Sequence, residues 1–281
     1  MKIGIIGVGK VGVSLGQYLI RNANAANIIG IYDTSEDAAK KGANLLKTVR
    51  FGNLKDLVKI SDILFLTVTD DAIKTVWEQI ADFDIREKIV VHCSGALSSD
   101  VFTGIAQKGA FGYSVHPAMT ISHHLAVEEL QRAPFTIEGA TQRLDVLVDL
   151  FEKMGNPVQI LTAENKIRYH AAAVFASNFI VALAGISMKL LADCGFNEQQ
   201  QRIFLPLMQV SIDNIVANGL VSALTGPVER GDIATIEKHL ADLVGNERAL
   251  YDLLSRKIFD VAKQKNPQKN YDELETVLSK K

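Results

Sequence analysis

The chain has 281 residues, 48% of them hydrophobic, with 22% charged residues and a net charge of −2. That length supports two domains of roughly 100–200 residues, each with its own core. The near-neutral balance excludes the basic field that nucleic acid or an anionic membrane surface selects, so neither is expected as a partner.

Two distant cysteines, Cys93 and Cys194, form no CxxC pair, which fits a reducing, cytoplasmic setting. The first apolar run is broken by glycines and Lys10, so it does not read as a signal peptide. The uncharged run 171–188 reaches the lower limit for spanning a bilayer. Ser177, Asn178 and Ser187 interrupt it and no aromatic belt flanks it, so it is expected at the centre of a helical domain or at a subunit interface. The basic-leaning stretch 256–281 reads as a solvated helix and tail.

In chain order, residues 2–7 form a short β-branched run ending in glycine, which predicts a buried strand. Residues 11–22 then place Val11, Leu15, Leu19 and Ile20 at helical spacing. A second strand is predicted over 27–32, a helix over 35–46, and a fully covered parallel strand over 63–68. Helix 71–80, strand 89–92, helix 99–108 and strand 111–115 follow, then strands 135–138 and 158–161 around a helical pattern at 141–154. After Thr162 strand-like runs stop, and helices are predicted over about 164–194, 197–219, 233–245 and 247–265. Alternating β and α followed by helices alone predicts an α/β Rossmann domain with a mostly parallel doubly wound sheet over 1–162, and an all-α domain over 163–281.

The motif Gly7-Val8-Gly9-Lys10-Val11-Gly12 follows a strand, opens a helix and is followed by an acid, Asp33, about 20 residues on. In such a loop the first glycine makes the tight turn, the second lets backbone approach a pyrophosphate, and the third lets helix and strand pack closely. The helix N-terminus offers unpaired N–H groups to the anion. The motif therefore predicts NAD or NADP binding. A carboxylate at Asp33 accepts from ribose hydroxyls and repels a 2′-phosphate, which leans to NAD; Thr34 and Ser35 remain possible phosphate ligands. Thr67, Val68 and Thr69 end the next long strand and are expected to border the cofactor. Asp70 or Asp71 reads as the N-cap of the following helix.

Taken in order, GVGKVG at 7–12, TVTDDAI at 67–73, HCSG at 92–95, SVHPAMT at 114–120 and TGPVERGD at 225–232 resemble a family of Rossmann-like NAD(P)-dependent oxidoreductases whose helical C-terminal domain has no defined function. The family is akin to pyrroline-5-carboxylate reductase, ketopantoate reductase and the 6-phosphogluconate dehydrogenase-like enzymes. The resemblance implies a helical domain that closes over the nicotinamide, holds substrate and forms a homodimer. Many relatives look NADP-using, against the lean of Asp33.

Hydride transfer needs a proton donor or acceptor beside the reacting heteroatom in a dry site. Ser94, at a strand end, is a candidate for the nicotinamide carboxamide or the substrate; His92 reads as a satisfied core histidine and Cys93 as a small buried residue. His116, before Pro117, is a candidate acid or base, with a structural role in the loop as the alternative. His170, Ser177 and Asn178 share a face if one helix runs through them, which makes His170 and Asn178 candidates for the site. Arg230, in a capping turn closed by Asp232, either binds a substrate carboxylate or pins the turn. The tandem His123-His124 lacks metal-ligand spacing, so no metal is expected. Together these residues predict an oxidoreductase acting on a carbonyl or imine of a small keto or imino acid. The alternative is a non-catalytic redox sensor or scaffold that keeps the dinucleotide site.

Overall fold

The computed structural model describes residues 1–22, 26–121 and 126–279, and the chain divides into two compact units, Met1–Asn178 and Phe179–Lys281.

The first unit is built on a seven-stranded sheet: β1 (Lys2–Ile6), β2 (Asn27–Tyr32), β3 (Ile63–Leu66), β4 (Ile89–His92), β5 (Phe111–Pro117), β6 (Phe135–Gly139) and β7 (Val158–Ile160). The spatial order is β2-β1-β3-β4-β5-β6-β7. The pairings among β1 to β5 are parallel, β6 runs antiparallel to β5, and β7 is parallel to β6. Every residue of β3 and β4 is buried, because helices cover both faces and a parallel strand there must be apolar on both sides.

Side chains alternate between two cores. Ile3, Ile5, Phe65, Val91 and Val115 meet α1 (Lys10–Asn22), α2 (Glu36–Leu46) and further residues that include Leu130 and Phe151. Ile6, Leu64, Leu66 and Val90 meet α3 (Leu54–Ile60) and α4 (Asp70–Ala81) through Leu57, Ile73 and Trp77. The short helix α5 (Val127–Arg132) supplies Leu130, and α6 (Leu144–Glu152) supplies Phe151, which stacks on Phe135 at 4.1 Å between ring centroids. The unit closes with α7 (Lys166–Ala176).

Two local outcomes differ from the sequence expectation. The helix predicted over 99–108 is two separate 3-10 turns, Ser99–Val101 and Ala106–Lys108. Gly104 lies between them at φ +79, a left-handed conformation that interrupts a right-handed helix. An unpredicted helix, α3, follows Asn53, whose side chain caps it by accepting from Asp56 N–H at 2.9 Å.

The second unit is helical: α8 (Asn178–Asp193), α9 (Leu205–Ala223), α10 (Pro227–Arg230), α11 (Ile233–Asp242), α12 (Gly245–Lys265) and α13 (Asp272–Ser279). Val228, Ile236, Phe259, Tyr271, Leu274 and Leu278 form its core. The chain end read as a solvated tail therefore contains a packed helix, because Leu274 and Leu278 share one face of α13. Asp232 caps α11 by accepting from Thr235 N–H at 3.2 Å.

The single helix expected over 164–194 is two. It breaks at Ser177, which takes φ −131, ψ −70 while its hydroxyl donates to the Ala173 carbonyl at 2.7 Å. Such back-bonding to the preceding turn weakens a helix where it occurs. The predicted helix 197–219 begins instead with a 3-10 segment, Gln200–Phe204, and carries a kink at Gly219, φ 78. The stretches Ala163–Asp193 and Gln200–Arg230 are long and apolar enough to cross a membrane by length and composition, and their most apolar windows are not buried in the chain. On α9 no residue is buried, and Val216 is 82% exposed.

Candidate functional site

In an open α/β sheet the ligand crevice lies beyond the carboxyl ends of the strands, where neighbouring strands send their connections to opposite faces. Here that point is between β1, which leads into α1 on one face, and β3, which leads into α4 on the other.

The loop Gly7–Gly12 sits there with the geometry its glycines predict. Gly7 turns at φ +90, and its N–H donates to the Tyr32 carbonyl at 2.8 Å. A Cβ at Gly12 would lie 2.2 Å from the Gly7 carbonyl oxygen and 2.5 Å from Thr67 Oγ1, so only glycine lets α1 start this close to the sheet. Thr67 locks the turn from β3, its hydroxyl donating to the Gly7 carbonyl at 2.6 Å, and Val68 packs against Gly7. A Cβ at Gly9, by contrast, would meet nothing within 4 Å. The space over the start of α1 is therefore open beside Gly9 and next to the exposed Lys10 and half-buried Val11. With no side chain at the cap, the N–H groups of the first turn are left for an anion. This cradle fits a dinucleotide pyrophosphate.

Asp33 ends β2 and holds the same loop. Its Oδ2 accepts from Val8 N–H at 2.9 Å and its Oδ1 from Ser35 N–H at 2.8 Å. Each carboxylate oxygen keeps a further lone pair for a ribose hydroxyl. Thr34 and Thr69 are exposed at the rim.

A second layer of polar groups lies at the ends of β4 and β5. Asp70 and Asp71 do not cap α4; Thr69 precedes its first turn without a side-chain bond, and Asp70 instead accepts from the Ser94 hydroxyl at 2.7 Å. The reason is positional: the helix starts one residue earlier than expected, so both aspartates lie past the cap, and the Asp70 carboxylate turns to Ser94 across the crevice end. Ser94 Oγ also accepts from Ala96 N–H at 3.2 Å and Leu97 N–H at 3.0 Å, so this hydroxyl shapes the turn after β4. His92 is fully buried, as its core reading predicts: Nδ1 accepts from Ser94 N–H at 3.2 Å, and Nε2 donates to the Ser98 carbonyl at 3.1 Å. Burial pushes it down to about 4, so it is neutral, and burial pushes the Cys93 thiol up to about 12, which makes it inert.

Lys166, at the start of α7, was not singled out by sequence, yet it is the most unusual group in the cluster. It is 1% exposed, and its ammonium donates to the Ser114 hydroxyl at 2.6 Å and the Ser94 carbonyl at 3.0 Å. Burial lowers it to about 8, while Glu138, Cys93 and Asp70 pull the other way.

His116, near the end of β5, is half-buried, and its Nδ1 lies 2.9 Å from the Tyr169 hydroxyl. Burial, with smaller contributions from Lys166 and His170, lowers it to about 4. The His170 ring stands edge-on at 6.4 Å between centroids. A Cβ at Gly95 would fall 2.7 Å from His170 Cδ2 and 2.9 Å from His116 Nε2, so the glycine is what admits both rings beside the turn. Thus the structure brings His116, His170 and Ser94 together, and adds Lys166, Tyr169 and Asp70. Positions 166, 169 and 170 share one face of α7, a periodicity that a lysine opening a helix, which reads as solvated, masks in the sequence.

Asn178 is exposed and lies beyond the break at Ser177, so it does not share a helix with His170; its Oδ1 accepts from the Ser177 hydroxyl at 2.9 Å. Arg230 belongs to the second unit, where its guanidinium approaches Asp232 at 4.0 Å. His123 and His124 lie outside the described residues. Among the described residues no group of three or more His, Cys, Asp or Glu side chains is placed to hold a metal.

Comparison with known proteins bears on this geometry. Residues 1–117 match a Rossmann-like domain, and residues 133–258 match a domain of unknown function, DUF2520. No curated protein matches the chain in sequence. Among solved structures, the protein TM1727 from Thermotoga maritima is 29% identical, with 94% of this chain and 99% of that one covered at a TM-score of 0.76. A Bacteroides fragilis protein described as a candidate NADP oxidoreductase is 24% identical over 92% and 98% of the two chains, TM-score 0.72. A pyrroline-5-carboxylate reductase from Streptococcus pyogenes is 16% identical over 94% and 98%, TM-score 0.63. The chain therefore has the two-part fold of these proteins: a Rossmann-like domain followed by a helical one.

Proposed function

We infer that the protein is a nicotinamide-dinucleotide-dependent oxidoreductase acting on a carbonyl or imine of a small acid. The observation that carries this reading is the cradle at Gly9, open above the start of α1 and clamped by Thr67 and Asp33. The likeness in fold to a reductase and to a candidate NADP oxidoreductase supports it.

Gly7, Val8, Gly9, Lys10, Val11 and Gly12 hold the pyrophosphate, Asp33 and Thr34 the adenosine ribose, and Val68 and Thr69 line the way to the ring. When bound, the nicotinamide supplies or accepts the hydride. Ser94 fixes the turn on which Gly95 admits the His116 and His170 rings, with its hydroxyl already committed to Asp70, Ala96 and Leu97. His116 handles the proton, since it is the neutral imidazole that faces Gly95, and His170 lies beside the same glycine. The apolar faces of α8 and α9 are assigned to a homodimer, because exposed patches of that extent on a helical unit call for burial.

The test is a panel of keto and imino acids, with loss of reduced-nicotinamide absorbance as the readout. Turnover of at least one acid by the wild type, reduced at least tenfold in His116→Gln, is expected. Tight dinucleotide binding with no turnover across the panel would favour a redox sensor or scaffold instead.

A further inference from the structure

Two nitrogens of His116 face two environments. Nδ1 meets the Tyr169 hydroxyl at 2.9 Å, and Nε2 faces Gly95 and the edge of His170. Tyr169 rises from α7 one turn after Lys166, whose ammonium lies 5.9 Å from the centre of the phenol ring. The phenol stands edge-on to the imidazole, with centroids 5.7 Å apart. Thr136, beside the pair on β6, has its hydroxyl between the His116 carbonyl, at 3.4 Å, and the Tyr169 hydroxyl, with which it also hydrogen-bonds. A phenol is a stronger donor than a threonine hydroxyl, and a bare imidazole nitrogen is the strongest neutral acceptor within its reach. The favoured arrangement therefore has the phenol donating and Nδ1 accepting.

We propose that Tyr169 is a positioning residue and proton source for His116: its hydroxyl donates to Nδ1, which fixes the imidazole as the Nε2–H tautomer with that N–H turned to the Gly95 and His170 side of the ring. This rests on the oxidoreductase reading for its chemistry. With a reduced dinucleotide bound to supply hydride to the carbonyl carbon, His116 would give its Nε2 proton to the carbonyl oxygen as the C=O π pair becomes an O–H bond. The Tyr169 proton moves to Nδ1, so His116 ends neutral in its other tautomer. Burial raises the Tyr169 phenol and the hydrogen bond with the Thr136 side chain acts against that rise, so Thr136 is the group that steadies the phenolate until water returns a proton. Substrate gains one hydride and one proton, and the relay loses one proton, which solvent restores. The charged and titratable groups that face His116 are Lys166 and His170 on α7 and Asp70 on α4. None of them replaces Tyr169 at Nδ1, the nitrogen that decides the tautomer.

The test is nitrogen NMR of the full chain with labelled histidine, at neutral pH and without cofactor. The His116 signals are identified by their loss in His116→Gln. The expected result is a protonated Nε2 and an accepting Nδ1 in the wild type, with the preference lost in Tyr169→Phe. A protonated Nδ1 in the wild type overturns the proposal, and that result does not depend on whether the variant folds. An unchanged tautomer in a folded Tyr169→Phe protein overturns it as well. Titration of the same wild-type sample with NADPH and NADH reports separately on the dinucleotide reading. Binding with a protonated Nδ1 removes the relay alone; no binding with a protonated Nε2 removes the oxidoreductase alone.

Discussion

The ammonium of Lys166 lies 2.6 Å from the hydroxyl of Ser114, and both groups donate to the carbonyl of Ser94. A buried lysine thus ties α7 to the ends of β4 and β5, and its removal leaves an acceptor without its charged donor. Lys166→Met is expected to destabilise the protein by about 2–4 kcal/mol at neutral pH. Because the folded value is lowered from 10.5 to about 8 by burial, the unfolded chain binds the proton more tightly between those values, and wild-type stability rises with pH across that window. Denaturant unfolding of wild type and Lys166→Met at pH 8 and above pH 10 should therefore show the wild type gaining on the variant as pH rises. A constant difference would show that the ammonium is not desolvated in the folded state.

His92 and His116 set the acid side. Both are lowered from 6.5 to about 4 by burial. Between those values the unfolded chain binds protons that the native state refuses, so stability is full above about pH 6.5 and falls as pH drops toward 4. His92→Gln and His116→Gln should each flatten the fall in unfolding free energy between pH 6.5 and 4.5, whatever they do to stability at pH 7. A slope unchanged in both variants would contradict the burial of neutral imidazoles.

The choice between NAD and NADP turns on Asp33. Replacing Asp33 with Ser together with Thr34→Arg should raise the preference for NADPH over NADH by at least tenfold, through loss of a repelling carboxylate and gain of a guanidinium. Absolute affinity for both should fall, since Asp33 also accepts from Val8 and Ser35 N–H groups. An unchanged ratio would mean that Asp33 clamps the loop without reading the ribose.

The exposed face of the helical unit calls for a partner. Light scattering at micromolar concentration should give a monodisperse dimer, and Val216→Glu with Leu207→Glu should shift it toward monomer. A wild-type monomer that instead sediments with phosphatidylcholine vesicles would assign the apolar stretches to a membrane.

How far the sequence led can be judged from particular residues. The strands are legible because a covered parallel strand is a near-continuous apolar run, as in Ile63–Leu66 and Ile89–Val91. The phosphate loop was legible because its glycines answer local demands of the chain, at Gly7 and Gly12 above all. Lys166 and Tyr169 were not, since a lysine opening a helix reads as solvated; its burial depends on Ser94 and Ser114, 72 and 52 residues away. The break at Ser177 escaped for a related reason: serine is tolerated in helices, and only its bond to Ala173 shows the competition with the backbone. Asn53, Leu54, Leu57 and Val58 did carry the pattern of α3, in a segment too short for periodicity to stand out.

The oxidoreductase reading depends on a dinucleotide in the cradle at Gly9, and titration calorimetry with NADH and NADPH measures that binding. Micromolar binding of at least one is expected, abolished in Gly9→Asp, whose side chain would enter the open space and repel the pyrophosphate while the protein stays folded. No heat with either nucleotide, or binding that survives Gly9→Asp, would contradict it.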